Sequence, residues 1–209
     1  MAGSGELIAL ALRWLVAGVA LVVLAALVYG VIRAHVGPPG RTTRAASLVL
    51  RGRVQVVISL LLLAVSVVLW RPLPVEPSDP LRPWIDATGA LLALMGLALV
   101  LWGRLTLGHL YDVSSVGGVR LRPSHRLVTE GPFRYVRHPM YVGVELAAIG
   151  GLLLYRTWTL AFLTVAFLGL VFRAAREDEA LQLEFGEEWT AYRLHVPAWL
   201  PHFRRSRPG

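Results

Sequence analysis

The side chains best suited to chemistry lie in residues 125–141, which read HRLVTEGPFRYVRHPMY. This segment holds two histidines, three arginines, three aromatic rings and two prolines, although it lies between two long apolar runs. Histidine and arginine donate hydrogen bonds to polar or anionic ligands, and aromatic faces attract cationic groups. Because loops carry a large share of binding residues, the segment predicts a ligand-binding loop.

A second candidate is the pair Arg173 and Glu177, which follows the last apolar run. Residues four apart project from the same face of a helix. One interpretation is an ordinary surface ion pair, worth a few tenths of a kcal/mol. The other is a cation and an anion held at the membrane boundary, opposite His125 and His138. Spacing alone favours the ordinary ion pair.

Several familiar kinds of site are excluded by the sequence. The chain has no cysteine, so disulfides, thiolate metal sites and thiol nucleophiles are not available. Its histidines do not have the spacing of a zinc site, and neither a nucleophile elbow nor a glycine-rich dinucleotide or phosphate loop occurs. We therefore predict no metal and no soluble nucleotide-binding fold.

Long apolar runs predict an all-α, polytopic membrane protein. Of the residues, 56% are hydrophobic and 16% are charged, against roughly 25% charged in an average soluble domain. Five runs approach the roughly 20 residues that cross a bilayer, namely 14–32, 54–70, 87–103, 139–155 and 157–172. The last two form a predicted helical hairpin over residues 139–172, for which a re-entrant or interfacial hairpin is the alternative.

The arginines predict how these spans are oriented. The net charge is +8 and all 21 basic residues are arginine, and 17 of them follow the first, third and fifth runs. By the positive-inside rule the N-terminus is outside and the C-terminus is cytoplasmic, in what we expect to be a bacterial inner membrane. This placement argues against nucleic acid as the partner. The first run is too long for a removed signal peptide.

We expect one integral membrane domain over residues 1–209. Three N-terminal spans occupy residues 1–107, and residues 108–209 form the catalytic region. Pro139 suits the first position of the fourth span. Gly143, Ala147 and Gly151 follow at intervals of four and predict a face that packs closely on a neighbouring helix. Glu145 lies on another face, either paired or pointing to the interface.

The polar C-terminal region predicts an amphipathic cytoplasmic helix. Leu181, Phe185, Trp189 and Tyr192 form one apolar stripe, and acidic and basic residues occupy the other faces. This helix would either lie on the bilayer or cover the loop of residues 125–141. We expect a bend at Gly186.

Two blocks of sequence resemble the isoprenylcysteine carboxyl methyltransferase family of integral membrane enzymes, and more loosely the phospholipid methyltransferases. They are HRLVTEGPFRYVRHPMYVG and, about thirty residues later, RAAREDEALQLEFGEEWTAYRLHVPAWLP. The resemblance covers residues 125–201, and the first half of the chain matches only as generic membrane helices. It implies S-adenosylmethionine as the cofactor.

The resemblance also implies a role for each matching residue. The cofactor-binding residues would be His125, Leu127, Val128, Phe133, His138, Pro139, Met140, Tyr141 and Glu177. Arg173 would bind the substrate carboxylate, and Arg173 and Glu177 would form the catalytic pair. The family often has tyrosine where this chain has Phe133, so a hydroxyl contact is lost there.

We therefore predict methyl transfer from S-adenosylmethionine to a lipophilic acceptor at the cytoplasmic interface. The expected acceptor is a carboxylate such as a prenylated cysteine or an isoprenoid acid, with membrane lipid as the surroundings. Three alternatives remain open at this stage. They are a phospholipid N-methyltransferase, an NADPH-dependent membrane reductase of the sterol-reductase or steroid-dehydrogenase type, and a non-enzymatic protein that binds anionic lipid. The oligomeric state is left open.

Overall fold

The computed structural model describes residues 4–36, 60–61, 64–75, 77–108 and 127–201. Six α-helices have both ends within these residues: α1 Ser4–Val36, α2 Arg82–Leu107, α3 Pro139–Tyr155, α4 Trp158–Phe167, α5 Leu170–Phe185 and α6 Glu187–His195. Residues 60–61 and 64–68 are also helical. A short 3₁₀ turn, Gly131–Arg134, precedes α3. Within the described part of the chain, extended pairing is limited to one bridge between Pro72 and Thr157. The predicted all-α class is confirmed for these residues.

Three helical stretches are long and apolar enough to cross a membrane, namely Gly5–Tyr29, Arg82–Leu107 and Trp158–Phe185. The helix α3 is apolar but shorter, with 17 residues. Of the second predicted span, residues 54–70, only residues 60–61 and 64–70 are described, and residues 60–61 and 64–68 are helical. The number of five spans therefore stays a prediction, whereas the membrane-spanning character of the chain is supported by these three stretches.

The last predicted span is not one regular helix. Residues Leu168 and Gly169 separate α4 from α5, and the backbone N–H of Gly169 donates to the carbonyl of Ala166. Hydrogen bonds between residues three apart are typical of a tight 3₁₀ turn, which often interrupts a helix at glycine. The predicted span over residues 157–172 therefore lies in a helical stretch with a tight turn in it, and α3 and α4 form the predicted hairpin across Arg156 and Thr157.

Close contact between α2 and α3 forms the centre of the bundle. A Cβ added to Gly96 would overlap the backbone of Gly143 and Ala147, and one added to Gly150 would overlap Ala93. Small residues allow two membrane helices to approach this closely. Gly143 and Ala147 therefore lie at the predicted interface.

The third residue of the predicted face, Gly151, packs elsewhere. An added Cβ there would meet Leu160 of α4 at 3.3 Å. Seven residues turn a helix through nearly two full turns, so Gly150 stays on the face of Gly143, whereas Gly151 is displaced by roughly 80°. The predicted face therefore contacts two neighbouring helices, because the eight-residue spacing carries Gly151 towards α4.

A buried ion pair joins α2 and α3 at the end of the bundle away from the predicted site. Arg156 donates to Asp86, whose side chain is only 3% exposed. Near this pair, the Tyr155 hydroxyl donates to the carbonyl of Arg13 at 2.6 Å, and the N–H of Trp158 donates to the carbonyl of Arg71 at 3.0 Å. The charge pattern assigns Arg13, Arg71 and Arg156 to the same side of the membrane, and all three lie at this end of the bundle.

Candidate active site

A sharp turn positions the loop that leads into α3. Gly131 has a φ of +58°, and a Cβ added there would lie 2.5 Å from the hydroxyl of Thr106 in α2. Only glycine adopts this conformation readily while approaching another helix so closely. Pro139 is then the first residue of α3, as predicted, so the loop is fixed to α2 at one end and to α3 at the other.

Tyr141, Arg173 and Glu177 form a hydrogen-bonded cluster between α3 and α5. The Tyr141 hydroxyl donates to Glu177 Oε1 at 2.5 Å. Arg173 Nε donates to the Tyr141 hydroxyl at 2.8 Å and to Glu177 Oε1 at 3.3 Å. Arg173 and Glu177 are four residues apart on α5, so both side chains face α3. The ion pair predicted from spacing is present, and Tyr141 joins it to the loop.

A second cluster is centred on Asp178. Its Oδ1 lies 2.9 Å from His138 Nε2, and its Oδ2 accepts from the guanidinium of Arg137. The other ring nitrogen of His138, Nδ1, lies 3.9 Å from Glu177 Oε2. The side chains of Arg137, His138 and Asp178 are 10%, 6% and 17% exposed, so this charge pairing is largely shielded from water.

Aromatic rings surround these charges. His138 stacks on Tyr141 with ring centroids 5.7 Å apart and planes 10° from parallel, and its centroid lies 5.5 Å from that of Trp199. The Arg137 guanidinium lies 5.6 Å from the ring centroid of Trp189, which is 2% exposed. Cation–aromatic contacts of this kind are strengthened when water is excluded.

The C-terminal region packs on the loop that leads into α3. Of the two placements that its amphipathic pattern left open, the bilayer surface and the loop, the structure has contact with the loop. The Tyr192 hydroxyl of α6 donates to the Phe133 carbonyl at 2.6 Å. The backbone N–H groups of Arg137 and His138 donate to the carbonyls of Pro197 and Ala198 at 2.8 and 3.2 Å. The bend predicted at Gly186 is confirmed, since this residue has a φ of +52° and separates α5 from α6.

Burial strengthens the preference of Tyr192 for its protonated form. Its partly buried position raises the pKa of the hydroxyl to about 12; the neighbouring Arg137 acts in the opposite direction, and Asp178 adds to the rise. At neutral pH Tyr192 is therefore a hydrogen-bond donor, as its contact with the Phe133 carbonyl requires.

Two buried donors in this region have no hydrogen-bond acceptor among the described residues. They are Arg137 Nε and Trp189 Nε1. An unsatisfied buried donor costs about 1–3 kcal/mol. Together with the rings and carboxylates beside them, these donors suit a polar ligand that has its own acceptors and a cationic or planar part. The chemistry of S-adenosylmethionine fits this set.

Comparison with known proteins bears directly on this geometry. Residues 89–183 match the model of the isoprenylcysteine carboxyl methyltransferase family. This region of the chain is similar to that family. It contains most of α2, all of α3 and α4, and the part of α5 that carries Arg173, Glu177 and Asp178. The match covers the whole first sequence block and the start of the second, as far as residue 183, and it extends into α2.

The chain matches only about a third to a half of the length of the individual relatives described here. The chain is 30% identical over 123 residues to a protein-S-isoprenylcysteine O-methyltransferase of Mus musculus, which covers 58% of this chain and 43% of the relative. It is 38% identical over 79 residues to the enzyme of that name from Schizosaccharomyces pombe, covering 37% and 34%. It is also 29% identical over 126 residues, covering 59% and 55%, to the nickel-cobalt-cadmium resistance protein NccN of Alcaligenes xylosoxydans xylosoxydans.

The site residues implied by the family resemblance fall into four groups. His138, Tyr141, Arg173 and Glu177 lie together in the clusters described above. Leu127, Val128 and Phe133 are half-buried in the loop, and Phe133 contributes its carbonyl to the contact with Tyr192. His125 lies outside the described residues.

Met140 and Pro139 have surroundings of a different kind. Pro139 is almost fully buried at the start of α3, and the Met140 side chain lies against Gly103 of α2. No described contact links Met140 to the charged cluster of Tyr141, Arg173 and Glu177. Its role as a cofactor contact stays a prediction that the structure does not test.

Sequence reasoning missed several residues that complete the site: Arg137, Asp178, Trp189, Tyr192 and Trp199. Asp178 directly follows Glu177, but helical spacing pairs it with no loop residue, so only the fold reveals its contact with His138. Trp189 and Tyr192 were placed on an apolar stripe. The burial of Trp189 indicates that the stripe packs on the loop.

A groove of about 540 Å³ opens between α5 and α6. It is lined by Ala175, Asp178, Glu179, Gln182, Leu183 and Arg193. Of these residues only Asp178 belongs to the clusters described above. The groove therefore adjoins the candidate site and does not form it, and the hydrogen-bonded clusters are the better guide to the chemistry.

Proposed function

We propose that this protein is an S-adenosylmethionine-dependent methyltransferase that methylates a lipophilic carboxylate, such as a prenylated cysteine or an isoprenoid acid. The observation that carries the proposal is the contact of Tyr141 with both Arg173 and Glu177, beside His138. These residues lie within the part of the chain that matches the methyltransferase family. The substrate and activity named for its relatives support this assignment.

The residues around His138 would hold the cofactor. When bound, S-adenosylmethionine supplies an electrophilic methyl group on a sulfonium centre. Tyr141 and the other rings can contact its planar and cationic parts, and Glu177 can pair with its ammonium group or a hydroxyl. The unsatisfied donors Arg137 Nε and Trp189 Nε1 can donate to its carboxylate or ring nitrogens. In this assignment His125, Leu127, Val128, Phe133, Pro139 and Met140 are further cofactor contacts.

Arg173 would position the acceptor. Its Nε donates to Tyr141 and Glu177, which fixes the plane of the guanidinium, while 35% of the side chain remains exposed. Arginine keeps its charge at all physiological pH values and binds carboxylates with a fixed geometry. A carboxylate needs no general base to attack a methyl carbon. The role of the protein is to shield the carboxylate from water and to orient it.

The location of the cluster suits a lipid-soluble acceptor and a water-soluble cofactor. Leu168 and Phe172 lie close before Arg173 and are 58% and 75% exposed, so apolar side chains border the cluster. An acceptor with an isoprenoid chain could approach from the bilayer along them, and the cofactor could enter from the cytoplasm. We propose that all 209 residues form one integral membrane domain with a cytoplasmic C-terminus.

Calorimetry on the detergent-purified protein distinguishes the proposed methyltransferase from an NADPH-dependent membrane reductase. We expect S-adenosylmethionine and S-adenosylhomocysteine to bind and NADPH not to bind. Binding of NADPH alone would overturn the proposal in favour of a membrane reductase. Binding of none of the three would favour a protein that only contacts lipid.

The proposed orientation has its own test, because the chain has no cysteine of its own. Asp79 and Leu183 are exposed and lie on opposite sides of the membrane in the proposed topology. In intact bacterial cells a membrane-impermeant thiol reagent should label Asp79→Cys and leave Leu183→Cys unlabelled until the cells are opened. Labelling of both variants in intact cells contradicts the topology.

A further inference from the structure

We propose that Asp178 is a positioning residue that holds His138 in the tautomer protonated on Nε2. In this state Nδ1 faces the site as a hydrogen-bond acceptor, and the ligand group that it binds must be a donor. The inference rests on the proposed function and deepens it, because it assigns the class of cofactor group that His138 contacts.

The contact between Asp178 and His138 determines which ring nitrogen carries the proton. Asp178 Oδ1 lies 2.9 Å from His138 Nε2, while its Oδ2 accepts from Arg137. An ionised carboxylate can only accept hydrogen bonds, so Nε2 must carry a proton. Arg137 is always charged and holds Asp178 in its ionised form.

The ring plane of His138 is also fixed. It stacks nearly parallel to Tyr141, with planes 10° apart, and contacts Trp199, and 6% of its side chain is exposed. Its backbone N–H donates to the Ala198 carbonyl at 3.2 Å. The contacts of the ring with Tyr141, Trp199 and Asp178 therefore set the direction in which Nδ1 points.

The surroundings of Nδ1 select the ligand group. Glu177 Oε2 lies 3.9 Å from Nδ1, which is beyond hydrogen-bond distance. In the neutral Nε2–H tautomer, both atoms are acceptors with a gap between them. A group with at least two N–H or O–H donors can bridge such a pair, whereas a carboxylate would meet two acceptors. An ammonium group or the two adjacent hydroxyls of a ribose therefore fit here, and the carboxylate of the cofactor must bind elsewhere.

The most informative variant is Asp178→Asn. Arg137 requires an acceptor, so the amide oxygen of the new asparagine should turn towards Arg137 and its NH₂ towards His138. The NH₂ group is a donor, so Nε2 would have to become an acceptor and the ring proton would move to Nδ1. Nδ1 would then carry a proton and face the ammonium or hydroxyl group of the ligand, so that two donors would oppose each other. The tautomer would change without any change in the size of the side chain.

Nitrogen NMR of histidine-labelled protein in detergent measures the tautomer directly, with His138 assigned by its absence in His138→Gln. At neutral pH the parent should show protonated Nε2 and bare Nδ1, and Asp178→Asn should show the reverse. A bare Nε2, or protons on both ring nitrogens, in the parent would overturn the inference. This measurement on the parent remains decisive even if Asp178→Asn does not fold.

Calorimetry with S-adenosylhomocysteine and 5′-methylthioadenosine then identifies the bound group. We expect Asp178→Asn to bind S-adenosylhomocysteine at least about tenfold more weakly, which corresponds to roughly 1.4 kcal/mol. The exposed neighbour Glu179→Gln makes the same change of charge and should bind as the parent does. Loss for S-adenosylhomocysteine alone indicates the ammonium group, and loss for both ligands indicates a ribose hydroxyl.

The two proposals fail in different ways. If the parent binds neither ligand, the proposed function is wrong. If the parent binds S-adenosylhomocysteine and Asp178→Asn binds it equally well, only the role of Asp178 is wrong. Asp178→Glu keeps an acceptor-only side chain and should restore at least part of the affinity, which loss of folding alone would not explain.

Discussion

Tyr141 donates its hydroxyl proton to Glu177 over 2.5 Å and so connects the first turn of α3 to the middle of α5. The same hydroxyl accepts from Arg173 at 2.8 Å. One phenol oxygen therefore orients both the Glu177 carboxylate and the Arg173 guanidinium of the proposed catalytic pair. The sequence shows Arg173 and Glu177 as neighbours on a helix, and the fold adds the residue that holds them in place.

Tyr141→Phe should preserve the fold and reduce methyl transfer. Removal of the hydroxyl breaks its hydrogen bonds to Arg173 and Glu177, so the 3.3 Å contact between these two residues loses its bridge. Since small misplacements of positioning groups can slow an enzyme about a hundredfold, we expect a loss in kcat of roughly tenfold to a hundredfold. Steady-state kinetics measures it. Tyr29→Phe, at an exposed position on α1, is the control. Unchanged kcat in Tyr141→Phe would show that the hydroxyl does not orient the pair.

Gly96→Ala should destabilise the bundle. Its Cβ would overlap the backbone of Gly143 and Ala147, which cannot move without separating α2 from α3. Overpacking of this kind typically costs about 1–3 kcal/mol. Gly18→Ala is the matched control, because nothing lies within 4 Å of an added Cβ there. Thermal unfolding in detergent should show a lower midpoint for Gly96→Ala only. Equal midpoints for both variants would mean that α2 and α3 are not in close contact.

The ion pair between Asp86 and Arg156 should show strong coupling. The side chains of Asp86 and Arg156 are 3% and 14% exposed, so loss of one partner leaves a buried charge unpaired. We expect Asp86→Asn and Arg156→Gln each to cost about 3–5 kcal/mol, and the double variant to cost much less than their sum. Unfolding free energies in a double-mutant cycle measure this coupling. Asp79→Asn, at an exposed site, should be neutral. If the losses of unfolding free energy in the two single variants simply add in the double variant, Asp86 and Arg156 do not form an ion pair.

Glu145 should lower the stability of the parent. Its Oε2 is buried and has no hydrogen-bond partner among the described residues. A buried polar group without a partner costs about 1–3 kcal/mol, so Glu145→Leu should unfold at a higher temperature. Glu188→Leu, at an exposed position on α6, should change little. A lower midpoint for Glu145→Leu would mean that the carboxyl has a stabilising partner in the membrane.

Local sequence patterns predicted the helices well because their causes are local. Apolar runs predict the helices that cover α1 to α4, Pro139 begins α3, and Gly186 allows the bend after α5. The break at Leu168 and Gly169 was not predicted. An isolated glycine inside an apolar run is tolerated in many helices, so its effect depends on packing against neighbouring helices.

The candidate site was predictable only in part. Helical spacing pairs Arg173 with Glu177, and the family resemblance adds His138 and Tyr141. The contacts of Asp178 with Arg137 and His138 join residues about forty positions apart. Such contacts depend on how the C-terminal region folds back over the loop, and no periodicity in the sequence encodes that path.

Transfer of a labelled methyl group tests the central claim most directly. The purified protein in detergent would be incubated with methyl-labelled S-adenosylmethionine and either N-acetyl-S-farnesylcysteine or phosphatidylethanolamine. A methyl ester releases its label as volatile methanol in base, whereas an N-methyl group does not. We expect base-labile label on the farnesylcysteine, with loss of the signal in Arg173→Ala while S-adenosylhomocysteine still binds. Base-stable label on the phospholipid, or equal turnover by Arg173→Ala, would contradict the proposed carboxylate methylation.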